Sequence, residues 1–339
     1  MKKILLTLFL ITICTLNADF NLRLRVSGEY DSNIYSLSEY DFDRFKDAAA
    51  FGYIDTSDDF KQRIDLRLST QQSIKNINIT PFAGYSFTNF MNNNDKNSWS
   101  ILVGANTNWK KLTLNGAYGY YPENYIRRYI DSDGTEAREK FEYNKMLWRL
   151  NSSYRYNNYV IPLLYGKYEY YHHNEYFTEY DGPAITAGLG WRFLGKFLNA
   201  DIMYYYRTYN PSSDNADIQY MIDNIKDGSY DSNIYEIKLR TKRLYNSLFD
   251  YRVYVNYKYE DRYFQSEIPL VIDSYHTTRN DMISTINIGS DLWLNKSFAL
   301  NLDFLYRFRE VSSDHYPVIR DKEYDKYQIK TTLEYNFKI

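Results

Sequence analysis

From residue 20 onward, apolar and polar positions along the chain trade places one residue at a time. Phe20, Leu22, Leu24 and Val26 fall on one side of an extended segment, and Asn21, Arg23, Arg25 and Ser27 on the other. Phe60, Ile64, Leu66 and Leu68 stand in the same way against Lys61, Arg63, Asp65 and Arg67. Successive side chains of a strand point to opposite faces, so this period predicts strands with one apolar and one polar face. Further alternating segments begin near Ile77, Trp99, Leu112, Met146, Val160, Ile185, Leu198, Tyr235, Phe249, Met282, Phe298 and Tyr327. Together they make about 14 segments, an even number, each close to the roughly 9–11 residues that cross a bilayer as a tilted strand.

The connections alternate as regularly as the residues. Short turns are expected at Lys75-Asn76, Lys110-Lys111, Asn157-Asn158, Gly195-Lys196, Tyr245 to Ser247 and Asn295-Lys296. Between them lie longer links at 31–59, 122–142, 172–182, 209–233, 261–281 and 310–323, with only 91–98 brief. Outer-membrane barrels have short periplasmic turns and long outer loops, so the alternation predicts an orientation as well as a strand count. Two loops carry helical spacing: Ile218, Met221, Ile222 and Ile225 within 214–226, and Phe42, Phe45 and Ala49 in the first loop. Such apolar faces need cover, either over the pore or against another loop.

Composition narrows the class. Aromatic residues reach 19%, with 39 tyrosines, while mean hydropathy is −0.61. After the first 16 residues no apolar run approaches the length of a spanning helix. In lipid only helices and closed barrels satisfy the backbone, so a membrane chain with this pattern is a barrel. The expected fold is all-β: a transmembrane antiparallel up-and-down β-barrel over 19–339. The tyrosine runs 118–121, 168–171 and 204–206, with Tyr257 and Tyr259, end strands near the long links and predict an aromatic girdle at the outer interface. Trp109, Tyr156, Trp191, Phe193 and Phe337 predict its periplasmic counterpart. The last strand keeps its alternation through Leu333, Tyr335 and Phe337 but closes on Ile339 rather than on an aromatic residue.

Residues 1–18 read as an export signal. Lys2 and Lys3 precede an apolar stretch from Ile4 to Leu16, and Ala18 supplies a small residue before Asp19. A lipid-modified Cys14 would follow a small residue, whereas Ile13 is bulky, so cleavage after Ala18 is preferred and removes the only cysteine. The compartment expected is the cell outer membrane.

Charge supplies the candidate chemistry. The whole chain is formally −2. On this facing, however, Arg23, Arg25, Lys61, Arg63, Arg67, Arg149, Arg155, Lys238, Arg240, Lys242, Arg252, Lys258, Arg307, Arg309, Lys326 and Lys330 point inward. The inward carboxylates are Glu29, Asp65, Asp201, Glu236, Asp250, Asp291, Asp303 and Glu334, about half as many, in a pore whose low-dielectric walls focus the field. Arg23, Arg25, Arg63, Arg67, Lys238, Arg240, Arg252, Arg307, Lys326 and Lys330 are the candidate anion-binding residues. Arginine suits carboxylates because its planar fork binds them bidentately. The partners expected are outer-membrane lipid and lipopolysaccharide, the barrel assembly machinery, and small anionic solutes or saccharides, with no nucleic acid and no cofactor. Catalysis is not expected: the histidines are His172, His173, His276 and His315, all in loops or at rims, with Glu175 the carboxylate nearest the pair and no nucleophile singled out.

Tyr30-Asp31-Ser32-Asn33-Ile34 follows the first strand and recurs at Tyr230 to Ile234, there opening a strand of opposite direction, so the chain is not an internal duplication. The first copy resembles the opening of β-barrel porins associated with exopolysaccharide export. The architecture also looks like the barrel of surface lipoprotein assembly modifiers, whose helical-repeat periplasmic domain has no counterpart in these residues. The resemblance covers five residues closely and otherwise the architecture. The expectation is a passive porin or solute channel favouring anions or acidic saccharides. The alternative is a non-conducting barrel for export or adhesion.

Overall fold

The computed structural model describes residues 19–45, 51–130, 138–211, 226–245 and 248–338. All strands join one sheet of sixteen, of which Gln72–Ile74 and Leu244–Tyr245 are short additions, leaving fourteen staves. They are β1 (Phe20–Asp31), β2 (Asp59–Thr70), β3 (Ile77–Phe90), β4 (Ser98–Trp109), β5 (Leu112–Ile130), β6 (Arg138–Tyr154) and β7 (Val160–His173). There follow β8 (Gly182–Leu194), β9 (Leu198–Tyr209), β10 (Tyr230–Thr241), β11 (Asp250–Phe264), β12 (Asn280–Trp293), β13 (Phe298–Ser312) and β14 (Tyr324–Lys338). Each pairs antiparallel with its chain neighbours, and β14 returns to β1 in a register from Asn21 opposite Lys338 to Asp31 opposite Gln328. The sheet is therefore closed and has no free edge, as a bilayer demands.

The alternation has the facing read from the sequence. Val26, Ile64, Leu66, Ile101, Leu150, Leu189, Ile202, Ile237, Ile288 and Ile329 are all exposed, with no protein covering them. In water such a surface would be costly; against acyl chains it is at home. The chain is thus an outer-membrane β-barrel, with its apolar band in lipid.

The turns are built as their residues dictate. Lys75 and Lys110 take positive φ (54° and 52°) at the tight turns. Asn157 and Asn295 each accept two backbone N–H groups through Oδ1, all at 2.8 Å, the local bonding that makes Asn a turn residue.

Several links are shorter than expected. Most of 122–142 is strand, because bulges between Tyr121 and Asn124 and between Tyr125 and Arg127 absorb Pro122 and let β5 and β6 pair well past the membrane. The link expected at 209–233 ends earlier, since β10 already begins at Tyr230. The helix expected at 214–226 lies almost wholly outside the described residues, as do the leader 1–18 and Ala49. In the first loop a five-residue helix, α1 (Glu39–Asp43), is capped by Ser38, whose Oγ accepts the N–H of Asp41 at 3.1 Å. Phe42 is 39% exposed, but Phe45 packs with Phe51 against a buried cluster of Ile34, Tyr35, Leu37, Ile54, Phe90 and Tyr125. The first loop thus leans across the inner mouth of β3 and β5.

The tyrosine runs divide between the two faces. Tyr85, Trp99 and Tyr120 form one outward ladder across neighbouring strands, Tyr118, Trp148 and Tyr168 a second, and Tyr204, Tyr235 and Tyr259 a third. Consecutive strand residues must alternate, so Tyr121, Tyr171 and Tyr205 turn inward instead. Tyr205 donates to Glu236 at 2.8 Å. The girdle expectation is therefore corrected for one tyrosine of each three-tyrosine run.

Candidate functional site

The lumen wall is set by the polar face of the strands. All ten candidate anion-binding residues occupy inward positions, and two pairs of them stand directly opposite, Arg23 with Arg67 and Arg307 with Lys326. Their partners differ, and the difference matters. Arg25 reaches Glu334 at 2.5 Å, Arg63 reaches Asp65 at 2.8 Å, and Lys326 reaches Asp31 at 3.4 Å. Arg240 shares Asp201 with Arg192, and Arg252 is paired with Asp291. Arg307 donates to the Thr285 hydroxyl at 3.2 Å, and Lys238 lies over the Tyr254 ring.

Arg23 and Arg67 are different again. They stand directly opposite each other on β1 and β2. Among the described residues no carboxylate lies within ion-pair distance of either, nor of Lys330 or Arg149. Arg67 lies within the field of Arg23, Arg25 and Arg149, and its guanidinium covers the Phe82 ring at 3.7 Å. Phe82 is 2% exposed although it faces the lumen, because Arg67 shields it and Gly104 leaves the space its ring occupies. The Nε of Arg149 is buried without a protein acceptor.

The sequence count of charges is incomplete. Arg155 and Lys242 fall just beyond β6 and β10, at the periplasmic end, where they line a cavity together with Arg192, Arg240 and Arg252. Three carboxylates left out of the inward count are part of the wall: Glu169, Glu260 and Asp281. Each is outnumbered. Glu169 serves Lys145, Lys167 and Arg207; Glu260 serves Lys258 and Arg262; Asp281 serves Arg279 and Arg309.

These last residues lie at the outer end, where Arg207, Arg262, Arg279 and Arg309 help line a cavity of about 510 Å³ built from eight of the fourteen strands and the outer loops. One side of its wall is a continuous aromatic collar. Tyr143 meets Tyr171, which meets Tyr209, then Tyr230 and Phe264, with centroids 5.2–5.7 Å apart. Phe264 meets His276, and the path returns through Tyr180, Phe141 and His173 to Tyr143. Arg207 ties the collar together, bonding the hydroxyls of Tyr171 at 3.2 Å and Tyr230 at 3.1 Å and Glu169 at 2.9 Å.

Loops roof this cavity. In the last loop, α2 (Tyr316–Lys322) brings Lys322 to 5.3 Å from the Tyr129 ring of β5 and 5.2 Å from the Tyr275 ring of the loop before β12. Arg320 covers Tyr40 of α1 at 3.6 Å, and Asp41 of α1 binds Arg127 of β5 at 3.0 Å. Burial, reinforced by Arg279, Arg127 and Arg309, pulls the Lys322 ammonium down to about 7. Burial also brings Lys96, with Lys326 adding to it, to about 7.

The histidine pair turns to Asp181, not to Glu175: His172 Nδ1 lies 2.8 Å and His173 Nδ1 3.1 Å from its carboxylate. That pairing fixes the loop before β8. The collar and the roof cations escaped the sequence reading because alternation marks a face, not which faces meet at one depth. The inward member of each tyrosine run was the available signal.

No protein-family model matches the chain, and no curated protein matches it. Among solved structures it is similar in shape to a bacterial polysaccharide outer membrane secretin, at 8% identity and TM-score 0.47, covering 93% of this chain and 98% of that one. It is similar also to OccAB3 of Acinetobacter baumannii (10% identity, TM-score 0.44, 95% and 100% covered). A third is an anion-selective porin from Comamonas acidovorans (10% identity, TM-score 0.43, 95% and 99% covered). These likenesses concern barrel shape.

Proposed function

We propose that this barrel is a passive outer-membrane channel favouring small anions, acidic saccharides among them. What carries the reading is the set of lumen arginines without a carboxylate, Arg23, Arg67 and Arg149, in a wall where shared carboxylates leave other cations in excess. Like charges directly opposite on neighbouring strands destabilise a sheet unless something offsets them. A transient anion between Arg23 and Arg67 offsets them, and their field repels cations from the pore. On this reading residues 1–18 are removed on export, and the barrel assembly machinery and lipopolysaccharide are its partners in the membrane. The test is the reversal potential of the purified protein in a planar bilayer under a potassium chloride gradient. An anion-selective sign supports the reading, and a cation-selective sign overturns it.

A second reading has its own observation. The contacts of Lys322 with Tyr129 and Tyr275 carry the roof across the mouth. A barrel held shut this way serves export or surface adhesion and does not conduct. Absence of single-channel steps from correctly folded protein would favour it.

A further inference from the structure

The outer cavity contains groups that a non-selective pore does not need. Its wall is aromatic rather than aliphatic, and most of the rings carry hydroxyls. Its volume, about 510 Å³, lies within the roughly 300–1,000 Å³ of small-molecule sites. The carboxylates that bond its lining arginines, Glu169, Glu260 and Asp281, are each shared among two or three cations, and Asp321, which lines it, is paired with Arg320 and accepts the Tyr275 hydroxyl. Two cationic groups keep donor capacity for a ligand. Arg262 binds Glu260 through Nε and Nη2 at 3.1 and 2.7 Å and covers the Tyr230 ring at 4.5 Å, and its Nη1 has no hydrogen-bond acceptor among the described residues. Lys322 lines the cavity with its ammonium over rings, and no described carboxylate lies within ion-pair distance.

We infer that this cavity is a binding site for a carboxylated saccharide of one or two pyranose rings, with Arg262 and Lys322 holding the carboxylate and the collar around Tyr230 receiving the sugar ring. Each part of that ligand has its counterpart. The C–H faces of a pyranose bury against aromatic carbon, its hydroxyls exchange bonds with tyrosine hydroxyls, and its carboxylate supplies the charge the cations lack. An inorganic anion alone would leave the collar unused. A neutral sugar would leave Lys322 uncompensated. Burial and neighbouring arginines draw the Lys322 ammonium toward neutrality, and a bound carboxylate reverses that pull. The inference rests on the channel reading for its anionic cargo, but binding needs no passage and is measured separately.

The experiment is calorimetric titration of the full-length detergent-solubilised barrel with digalacturonate, with lactose as neutral disaccharide and inorganic phosphate as bare anion. Digalacturonate is expected to bind at least about tenfold more tightly than either. Lys322→Gln, in a loop, and Arg262→Gln, in the wall, should each weaken it by about tenfold, with the heat-modifiable gel shift retained as proof of folding. Tyr230→Ala should lose most of the binding, while Tyr230→Phe, which keeps the ring, should retain most of it. Equal binding of lactose removes the role of the carboxylate, and equal binding of phosphate reduces the site to an anion site. If Lys322→Gln folds and binds as tightly as the parent, the site is not here. Absence of digalacturonate binding by the parent protein, with anion selectivity intact, overturns this inference and leaves the channel reading standing. The converse result separates them the other way.

Discussion

Arg23 on β1 and Arg67 on β2 face each other across one register position of the lumen wall, and neither has a carboxylate partner among the described residues. Arg25, two residues on, is opposite Asp65 on the same side and Glu334 on the other. The unbalanced charge is therefore local. Changing Arg23, Arg67 and Arg149 together to Gln should move the reversal potential most of the way to zero. Changing Arg25 and Arg63 should move it less, because each already stands in an ion pair. Equal effects of the two sets would mean that overall lumen charge, not its pairing, governs selectivity.

Asp201 offers the opposite manipulation. It holds Arg192 through two hydrogen bonds of 2.7 and 2.8 Å and Arg240 at 3.4 Å. Asp201→Asn releases two cations into the pore, so anion selectivity should rise. The lost charge-assisted bonds should also cost about 1–3 kcal/mol, seen as a lower unfolding midpoint in detergent. A fall in anion selectivity would contradict the facing of this strand.

The roof should respond to pH. The ordinary lysine value is 10.5, and burial lowers both Lys322 and Lys96 to about 7 in the closed roof. Around Lys322 stand Arg279, Arg127 and Arg309, with Asp41 opposing them; around Lys96 stand Lys326, Lys61 and Arg127, with Asp31 opposing. Between those two pH values an opened roof binds more protons than the closed one, so closure strengthens as pH rises from about 7 toward 10.5. Below about 7 the penalty is already complete and the dependence levels off. Closed periods in single-channel records should lengthen between pH 7 and 9.5 for the parent. A Lys96→Met, Lys322→Met double variant should show no such slope.

Gly104 tests the packing under Arg67. A Cβ there would sit 2.3 Å from the Gly116 carbonyl oxygen and 2.7 Å from the Phe82 ring, whereas a Cβ at Gly116 meets nothing within 4 Å. Gly104→Ala should lower the unfolding temperature clearly, and Gly116→Ala should leave it nearly unchanged. Equal behaviour would show that the wall moves freely at this point.

Orientation has a direct check. Val271, 91% exposed in the loop before β12, and Leu248, 80% exposed beside a short turn, lie at opposite ends of the barrel. With Cys14 replaced so that the chain has no other cysteine, Val271→Cys should react with an impermeant maleimide on intact cells, and Leu248→Cys only after lysis. The reverse pattern would invert the orientation.

Alternation alone determined the strand number, the facing of each strand and the alternation of short and long links, because a two-residue period and lipid on one side leave few other arrangements. It located Arg23, Arg67 and the other candidate residues on the inner wall. It did not determine which charges pair, since pairing depends on the register between strands: Arg23 meets Arg67 while Arg25 meets Asp65. It gave the two copies of Tyr-Asp-Ser-Asn-Ile opposite strand directions, but not their separate conformations. In the first, Asn33 leaves the strand and closes on Leu37 with two bonds of 2.8 Å; in the second, Asn233 stays in β10 and accepts the Tyr204 hydroxyl at 2.7 Å. Identical residues took different conformations because one copy has a neighbouring strand on both sides and the other reaches the rim. The collar is the same lesson at larger scale. Tyr143, Tyr171, Tyr209 and Tyr230 come from four strands, and only the register across β6 to β10 brings their rings to one depth, where loops roof them.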